Sequence, residues 1–458
     1  NGSNKILLGA KSQRALTDEV IGGSENDVIL ADSNVFKSLK LDGGGGNDML
    51  GGGRGNDSLI GGNGNDTLIA GAGVDTLIGG AGIDVFRMDS SQFRSNDSID
   101  GGTNVGGVDV LELWGESSVD DRAFAGVKSI EKLVVVGDDS LDGRDNESAM
   151  SVQLGALARA AGITDIEVQD DDGVYLDLAQ LTSASNVKGG SGNDSIVGFV
   201  GADTINGGVD SIGAAYLDTD TLFLNATSTD LNRAIDSQLE NIEVINAFNS
   251  TSGVLVNLSS QLGEAFQIVG GSFADTITGS DLSDVITSGA GNNVMTGGAG
   301  TNTFNVNGGL LNTISDLKGF DVLVSTGGSG VTATVTDDFT ATGATSNTGG
   351  STATLDLEND IDANLSSATG NTGYTITAAG NTGASTIVGS GFADTITGGL
   401  AADNLTGGLD ADQFVFTSGL TIDTVTDFTA AQGDVAAFSL AALEAAGATI
   451  AGHTIDLA

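Results

Sequence analysis

Short apolar triplets punctuate this chain at a fixed interval. From Gly43 to Arg87 five consecutive nonapeptides, GGGGNDMLG, GGRGNDSLI, GGNGNDTLI, AGAGVDTLI and GGAGIDVFR, carry Leu50, Leu59, Leu68, Leu77 and Phe86 at their eighth place. The last three residues of each unit alternate across that apolar position, which predicts a very short strand burying one side chain. The first five, GGxGx, predict a tight turn, because glycine tolerates positive φ and close backbone approach. One turn and one strand make half a coil, so two nonapeptides complete it, and successive coils stack about 4.8 Å apart. The predicted fold is all-β, a parallel β-roll or β-helix solenoid with one or two short helices. Asp48, Asp66 and Asp84 fall on one edge of it, and Asp57 and Asp75 on the other. An earlier copy, GGSENDVIL, places Asp27 in the same register before an interruption around Ser33 to Lys40.

The pattern returns in weaker forms. GGSGNDSIV and GFVGADTIN, with Asp194 and Asp203, form a second block. GGSFADTIT, GSDLSDVIT, SGAGNNVMT and GGAGTNTFN form a third, with Asp275 and Asp284, where Asn293 and Asn302 then replace aspartate. GSGFADTIT, GGLAADNLT and GGLDADQFV form a fourth, with Asp394, Asp403 and Asp412. Phe273 and Phe392 stand where the strict repeat has glycine. These departures lower charge and turn freedom, and a plain ion-free β-helix coil is an equal reading for the third block. The spacers, including GGVDVLELWG, SIEKLVVVG, GVYLDLAQL, GVLVNLSSQL and TATLDLEND, read as further solenoid coils and loops, not separate globules. SAMSVQLGALARAAG and SLAALEAAGA carry a helical period and read as packing or capping helices. The expected organisation is 1–136 with the first block, 137–247 with a helical spacer and the second, 248–324 with the third, and 325–458 with the fourth and a C-terminal segment.

Charge then narrows the chemistry. The 458 residues hold 16 Lys and Arg against 61 Asp and Glu, a formal charge of −45. No basic patch exists to neutralise phosphates, so nucleic acid and anionic lipid are disfavoured partners and cations are favoured. Such composition also occurs in disordered chains, but 39% of the residues are hydrophobic, many in regular runs. Cysteine is absent, which excludes disulfides and thiolate metal sites. Proline is absent too, removing every obstacle to continuous backbone pairing. The opening NGSNKILLGAKSQRAL does not read as a signal peptide, no run reaches membrane-spanning length, and residue 1 is not Met, which suggests a fragment or processed product. The single histidine, His453, reads as a mobile or strand-terminal residue, Trp114 as a ring buried at a strand, and neither HExxH nor GxSxG occurs. No enzymatic activity and no catalytic residues are expected.

Stacked aspartates need a counter-ion. Carboxylates in register repel by about 1 kcal/mol per pair at 4 Å even in water, and by more where turns exclude water. A hard cation taking six to eight oxygens from carboxylates and carbonyls removes that repulsion and joins the coils. Calcium suits such a site better than magnesium, which demands octahedral geometry, and zinc is disfavoured without Cys and with one His.

The tandem GGxGxDxUx units resemble RTX, or hemolysin-type, calcium-binding repeats. The resemblance implies a parallel β-roll with calcium between stacked turns. The implied ligands are the second and fourth carbonyls and Asp of one turn, with the first and third carbonyls and Asp of the turn eighteen residues on. One ion would then lie among Gly44, Gly46, Asp48, Gly61, Asn63 and Asp66. A second would use Gly53, Gly55, Asp57, Ala70, Ala72 and Asp75, and a third Gly62, Gly64, Asp66, Gly79, Ala81 and Asp84. TIDTVTDFTAAQGDVAAFSL resembles the segment that closes RTX arrays, TISDLKGFDVLVS is its internal echo, and Ser439 to Ala458 is the expected place of a type I secretion signal. Duplicated modules rich in Thr, Ser, Gly and Ala look like bacterial surface-layer proteins that assemble with calcium, and an RTX adhesin or filament is the alternative. The expected location is the cell surface, and the expected partners are other copies of the chain and a cell-surface polysaccharide.

Overall fold

The computed structural model describes residues 2–9, 19–104, 106–137, 150–170, 173–183, 185–201, 203–208, 218–309, 311–417 and 421–439, with the backbone of 449–451 and 454–456. His453, the SLAALEAAGA helix apart from Ser439, and most of the expected secretion signal lie outside these residues. Two compact units are present, Asn1–Phe223 with Thr229–Ile242, and Leu224–Ser228 with Glu243–Ala458.

In the first unit the eighth-place residues become the spine of an eleven-stranded parallel sheet. Its inward column runs Ile6, Ile29, Leu50, Leu68, Phe86, Leu111, Leu133, Ile166, Val187, Ile205, Leu239, each paired directly with the next. Facing it, a six-stranded sheet stacks Val20, Leu41, Leu59, Leu77, Ile99 and Val127. Strands Met49–Gly51 and Thr67–Ile69 have the predicted three residues. Those opposite are longer: Ser58–Asn63 and Thr76–Ala81 run through the following glycine pair, with Gly62 paired to Gly80. The glycines thus belong partly to strands, because two glycine backbones can lie directly over one another. Leu50, Leu59, Leu68, Leu77 and Phe86 are fully buried, each contributing roughly 1.5–3 kcal/mol of transfer free energy.

The spacers continue the same stacks, as predicted. Val110–Trp114 and Lys132–Val136 extend the first sheet, and Met150–Gln153, Val174–Asp177, Ser195–Val197 and Thr221–Phe223 pair in parallel. Two expectations need correction. Among the described residues of SAMSVQLGALARAAG only Ala156–Ala161 is helical, while Met150–Gln153 is a strand whose Met150 and Val152 are buried and whose Gln153 is exposed. Asp121 accepts from the N–H groups of Gly155, Leu157 and Ala158 at the helix start, and left-handed Gly162 ends it. Trp114 is not buried; at a strand end it is 39% exposed, its ring beside the Arg87 guanidinium and its Nε1–H donating to Glu112.

In the second unit, Ile245, Ile268, Ile286, Phe304 and Leu323 form one inward column, and Val256, Ile277, Met295 and Ile314 another. The second column belongs to a fourteen-stranded sheet that branches at Gly330–Thr340. Among the described residues no helix is long and apolar enough to cross a membrane.

Candidate metal centre

Each sixth-place aspartate of the strict block is buried, and the coil spacing lines them up into two columns. The Asp27 N–H donates to Asp48 Oδ1 at 2.7 Å, Asp48 N–H to Asp66 Oδ1 at 2.7 Å, Asp66 N–H to Asp84 Oδ1 at 2.8 Å, and Asp84 N–H to Asp109 Oδ1 at 2.8 Å. On the other edge Leu39, Asp57 and Asp75 donate in the same way to Asp57, Asp75 and Asp97. One oxygen of every carboxylate is therefore held by the backbone of the coil before it. Asp97 and Asp109 were not singled out by sequence, because insertions stretch their spacing from the 18 residues of the strict repeat to 22 and 25. Their signal was present in RSNDSI and GGVDVL, which end as the repeats do.

The second oxygen separates two kinds of site. Oδ2 of Asp27, Asp48, Asp66, Asp75, Asp84 and Asp109 is buried and has no hydrogen-bond partner. A carboxylate oxygen sealed from water without a donor costs several kcal/mol. Elsewhere the turn closes on its own carboxylate: Gly53 N–H donates to Asp57 Oδ2, Gly190 to Asp194, Gly271 to Asp275, Gly399 to Asp403 and, one residue nearer, Val200 to Asp203. Ser280 and Ser390 close Asp284 and Asp394 with both N–H and Oγ–H. The difference lies in the second-place residue. Gly62, at φ 115°, and Gly80, at φ 116°, are left-handed and do not donate to Asp66 and Asp84, whereas Gly53, Gly190, Gly271 and Gly399, which donate to their own aspartates, lie outside that region. Serine has a Cβ that disfavours positive φ, so Ser280 and Ser390 select the closed form.

Oxygen chemistry in the open turns suits a hard cation. A Cβ on Gly61 would overlap Asp66 Oδ2 and lie 2.7 Å from Gly79 O; on Gly79 it would overlap Asp84 Oδ2 and lie 2.6 Å from Gly101 O. Carboxylate and first-place carbonyl of the next coil thus converge beside a residue with no side chain. Among the described residues no group of three or more His, Cys, Asp or Glu side chains converges on a point, so carbonyls would supply most of the coordination. Of the expected sets, Asp66 stacks on Asp84 and Asp48 on Asp66, Gly61 lies beside Asp66 and Gly79 beside Asp84, Gly44 pairs with Gly62 and Gly62 with Gly80, and Gly64 N–H donates to the Ala81 carbonyl. In the set with Gly53, Gly55, Asp57, Ala70, Ala72 and Asp75, the Asp57 carboxylate is already closed and only Asp75 is open.

Burial pushes these acids up. Asp66 reaches about 6, with the Asp48 charge adding to the rise, while the Asp48 N–H opposes it. Asp75 and Asp84 reach about 7, raised by burial and by the carboxylates stacked on either side of each. A divalent ion reverses that pressure by favouring the charged form.

In the third block asparagine takes the cation's part. Asn293 Nδ2 donates to the carbonyls of Ala290 and Gly291, Asn302 Nδ2 to Ala299, and Asn312 Nδ2 to Gly308 and Gly330. Column and turn are thereby joined without an ion. The proposed echo is duplicated in detail: Asp316 accepts from the N–H groups of Gly297 and Gly298, and Asp427 from those of Gly407 and Gly408. Asp321 and Asp434 then end their columns, each accepting from its own loop as well.

A family profile described as the RTX calcium-binding nonapeptide repeat (4 copies) matches residues 40–59, 51–86, 184–211, 269–304 and 379–414. The chain carries RTX repeats. No curated protein matches it. All four repeat blocks read from the sequence fall within or overlap the matched segments, and the RTX family is a calcium-binding one. Asp97, Asp109 and the terminating acids lie beyond the RTX matches although they occupy the same columns.

Substituting one left-handed glycine tests the turn. In Gly62→Ala the new Cβ would overlap Gly44 O in a conformation that itself costs roughly 1–2 kcal/mol. The expected result is a loss of at least about 2 kcal/mol, measured by denaturation in calcium, together with weakened calcium binding.

Proposed function

We propose that this RTX chain is an extracellular structural protein of a bacterial cell surface, which assembles into a calcium-dependent surface layer. The observation that carries the reading is the run of six buried carboxylate oxygens without partners, all between Asp27 and Asp109. Ca²⁺ there supplies positive charge and coordination for oxygens that the protein leaves unsatisfied. Calcium modules outside cells bind with dissociation constants of about 10⁻⁴ to 10⁻³ M, so the sites fill outside and stay empty in the cytosol. Before export, repulsion within a chain of charge −45 keeps the strict block loose; outside, calcium closes it.

Self-association is favoured over a small-ligand role by what the second unit exposes. Phe273, Leu282, Leu311, Phe320, Leu400 and Leu409, all in turns, are between 38% and 74% exposed. Apolar groups repeated along solenoid turns make a surface that another protein covers. Electron microscopy of the full chain at about 10 mM Ca²⁺ and after chelation tests the reading. Two-dimensional sheets that disperse on chelation are expected; separate fibres or ligand-dependent attachment would favour an adhesin, and a monodisperse chain would overturn the assembly.

A further inference from the structure

The open aspartate column does not stop where the nonapeptides stop. Past Phe86 the chain makes a longer loop, from Gly101 to Asp109, in place of the five-residue step between Gly79 and Asp84. Yet Gly102 pairs with Gly80, and Asp109 takes the Asp84 N–H as Asp84 takes that of Asp66. One coil further the acceptor is a glutamate: Asp109 N–H donates to Glu131 Oε2 at 2.9 Å. Asn104 Nδ2 donates to the same Glu131 oxygen at 3.2 Å.

Two side-chain oxygens here lack partners. Asp109 is fully buried with the Asn104 side chain beside its carboxylate; no hydrogen bond of ordinary geometry closes its Oδ2, and Asn104 Oδ1 is likewise buried and unpaired. A Cβ on Gly101 would overlap both Asp109 Oδ2 and the Ser129 carbonyl, the arrangement that Gly79 shows with Asp84 and Gly101. Ser129 is left-handed, at φ 54°, although it is not glycine. The nearby lysines serve other acids, Lys128 pairing with Asp100 at 2.8 Å and Lys132 with Glu167 at 2.5 Å. By contrast, the columns ending at Asp321 and Asp434 close both carboxylate oxygens with N–H groups.

Building on the calcium reading of the strict block, we infer that Asn104, Asp109, Glu131 and the Ser129 carbonyl form a further divalent-cation site, outside the nonapeptide pattern, that caps the first array. The donors are all hard oxygens in an irregular loop, which suits Ca²⁺ better than Mg²⁺. An ion at this place offsets the facing charges of Asp109 and Glu131 and ties the array to the coil beginning at Lys132.

Calcium titration of the full chain by calorimetry, with ions per chain counted by native mass spectrometry, tests the site. Glu131→Gln should lose one ion or weaken its binding at least about tenfold, with the β spectrum in saturating calcium unchanged. Asp109→Asn is the second variant: Asn293, Asn302 and Asn312 show that the corresponding columns of the third block accept asparagine with the same backbone hydrogen bond, so it should fold and lose at least one ion. Wild-type ion count and affinities in both variants would overturn this site alone. A wild-type chain that binds no calcium would overturn this site and the broader reading together.

Discussion

Removing calcium at pH 8 should loosen the first array and leave the closed repeats folded. Six open carboxylates lie between Asp27 and Asp109. At about 10 mM Ca²⁺ and a dissociation constant near 1 mM each site adds ~1.4 kcal/mol, so one ion per open carboxylate adds ~8 kcal/mol. That is as large as the whole stability of an ordinary domain, about 5–15 kcal/mol, and should lower the thermal midpoint by roughly 15 °C or more. The loss should be local. Hydrogen exchange after chelation is expected to accelerate first at the amides of Asp48, Asp66, Asp75 and Asp84. The amides of Asp275, Asp284, Asn293, Asn302 and Asp394, in turns closed by protein donors, should stay protected. A β spectrum and exchange pattern unmoved by chelation would contradict the open-site reading.

Acid should replace calcium in holding the stack. Burial raises Asp66 to about 6 and Asp75 and Asp84 to about 7, from an unfolded value of 3.8. Between those limits the metal-free folded state binds more protons than the unfolded chain. Its stability is therefore fully present below about pH 4 and is lost as pH rises through 6 to 7. In chelator the chain should be more ordered at pH 5 than at pH 8 by circular dichroism. Calcium requires the charged form, so its binding releases protons and its affinity should fall as pH drops below about 7. Equal order of the metal-free chain at both pH values, or calcium affinity independent of pH, would show that these carboxylates are not the sealed, unpaired groups described.

The repeat itself was legible throughout the strict block from Gly43 to Arg87. A nine-residue period with glycine at its start and an apolar residue at its eighth place admits one efficient burial scheme, so the two-sided solenoid, its 18-residue register and the stacking of Asp48 on Asp66 on Asp84 follow from spacing alone. The closed turns at Ser280 and Ser390 were also encoded, because a residue with a Cβ resists the left-handed backbone. The closed turns at Gly53, Gly190, Gly271 and Gly399 were not, since glycine permits both peptide orientations. Gly53 and Gly62 are the same letter at the same place in adjacent repeats, yet one donates to its own aspartate and the other does not. The neighbouring coil decides which. Gly62 lies between the left-handed Gly44 and Gly80, whereas Gly53 lies over the interrupted stretch before Lys40, where Val35 O takes the place of a glycine carbonyl.

The column's extension was hidden for a similar reason. Insertions before Asp97, Asp109 and Glu131 break the count of residues but not the count of coils, because a loop can bulge outward while its ends return to the stack. Sequence alone determined the period, the strand faces and the oxygen-only chemistry of the sites. Only the tertiary structure decided which carboxylates remain open, since that depends on a peptide's orientation against the coil beneath it, and a one-dimensional pattern of glycines does not record it.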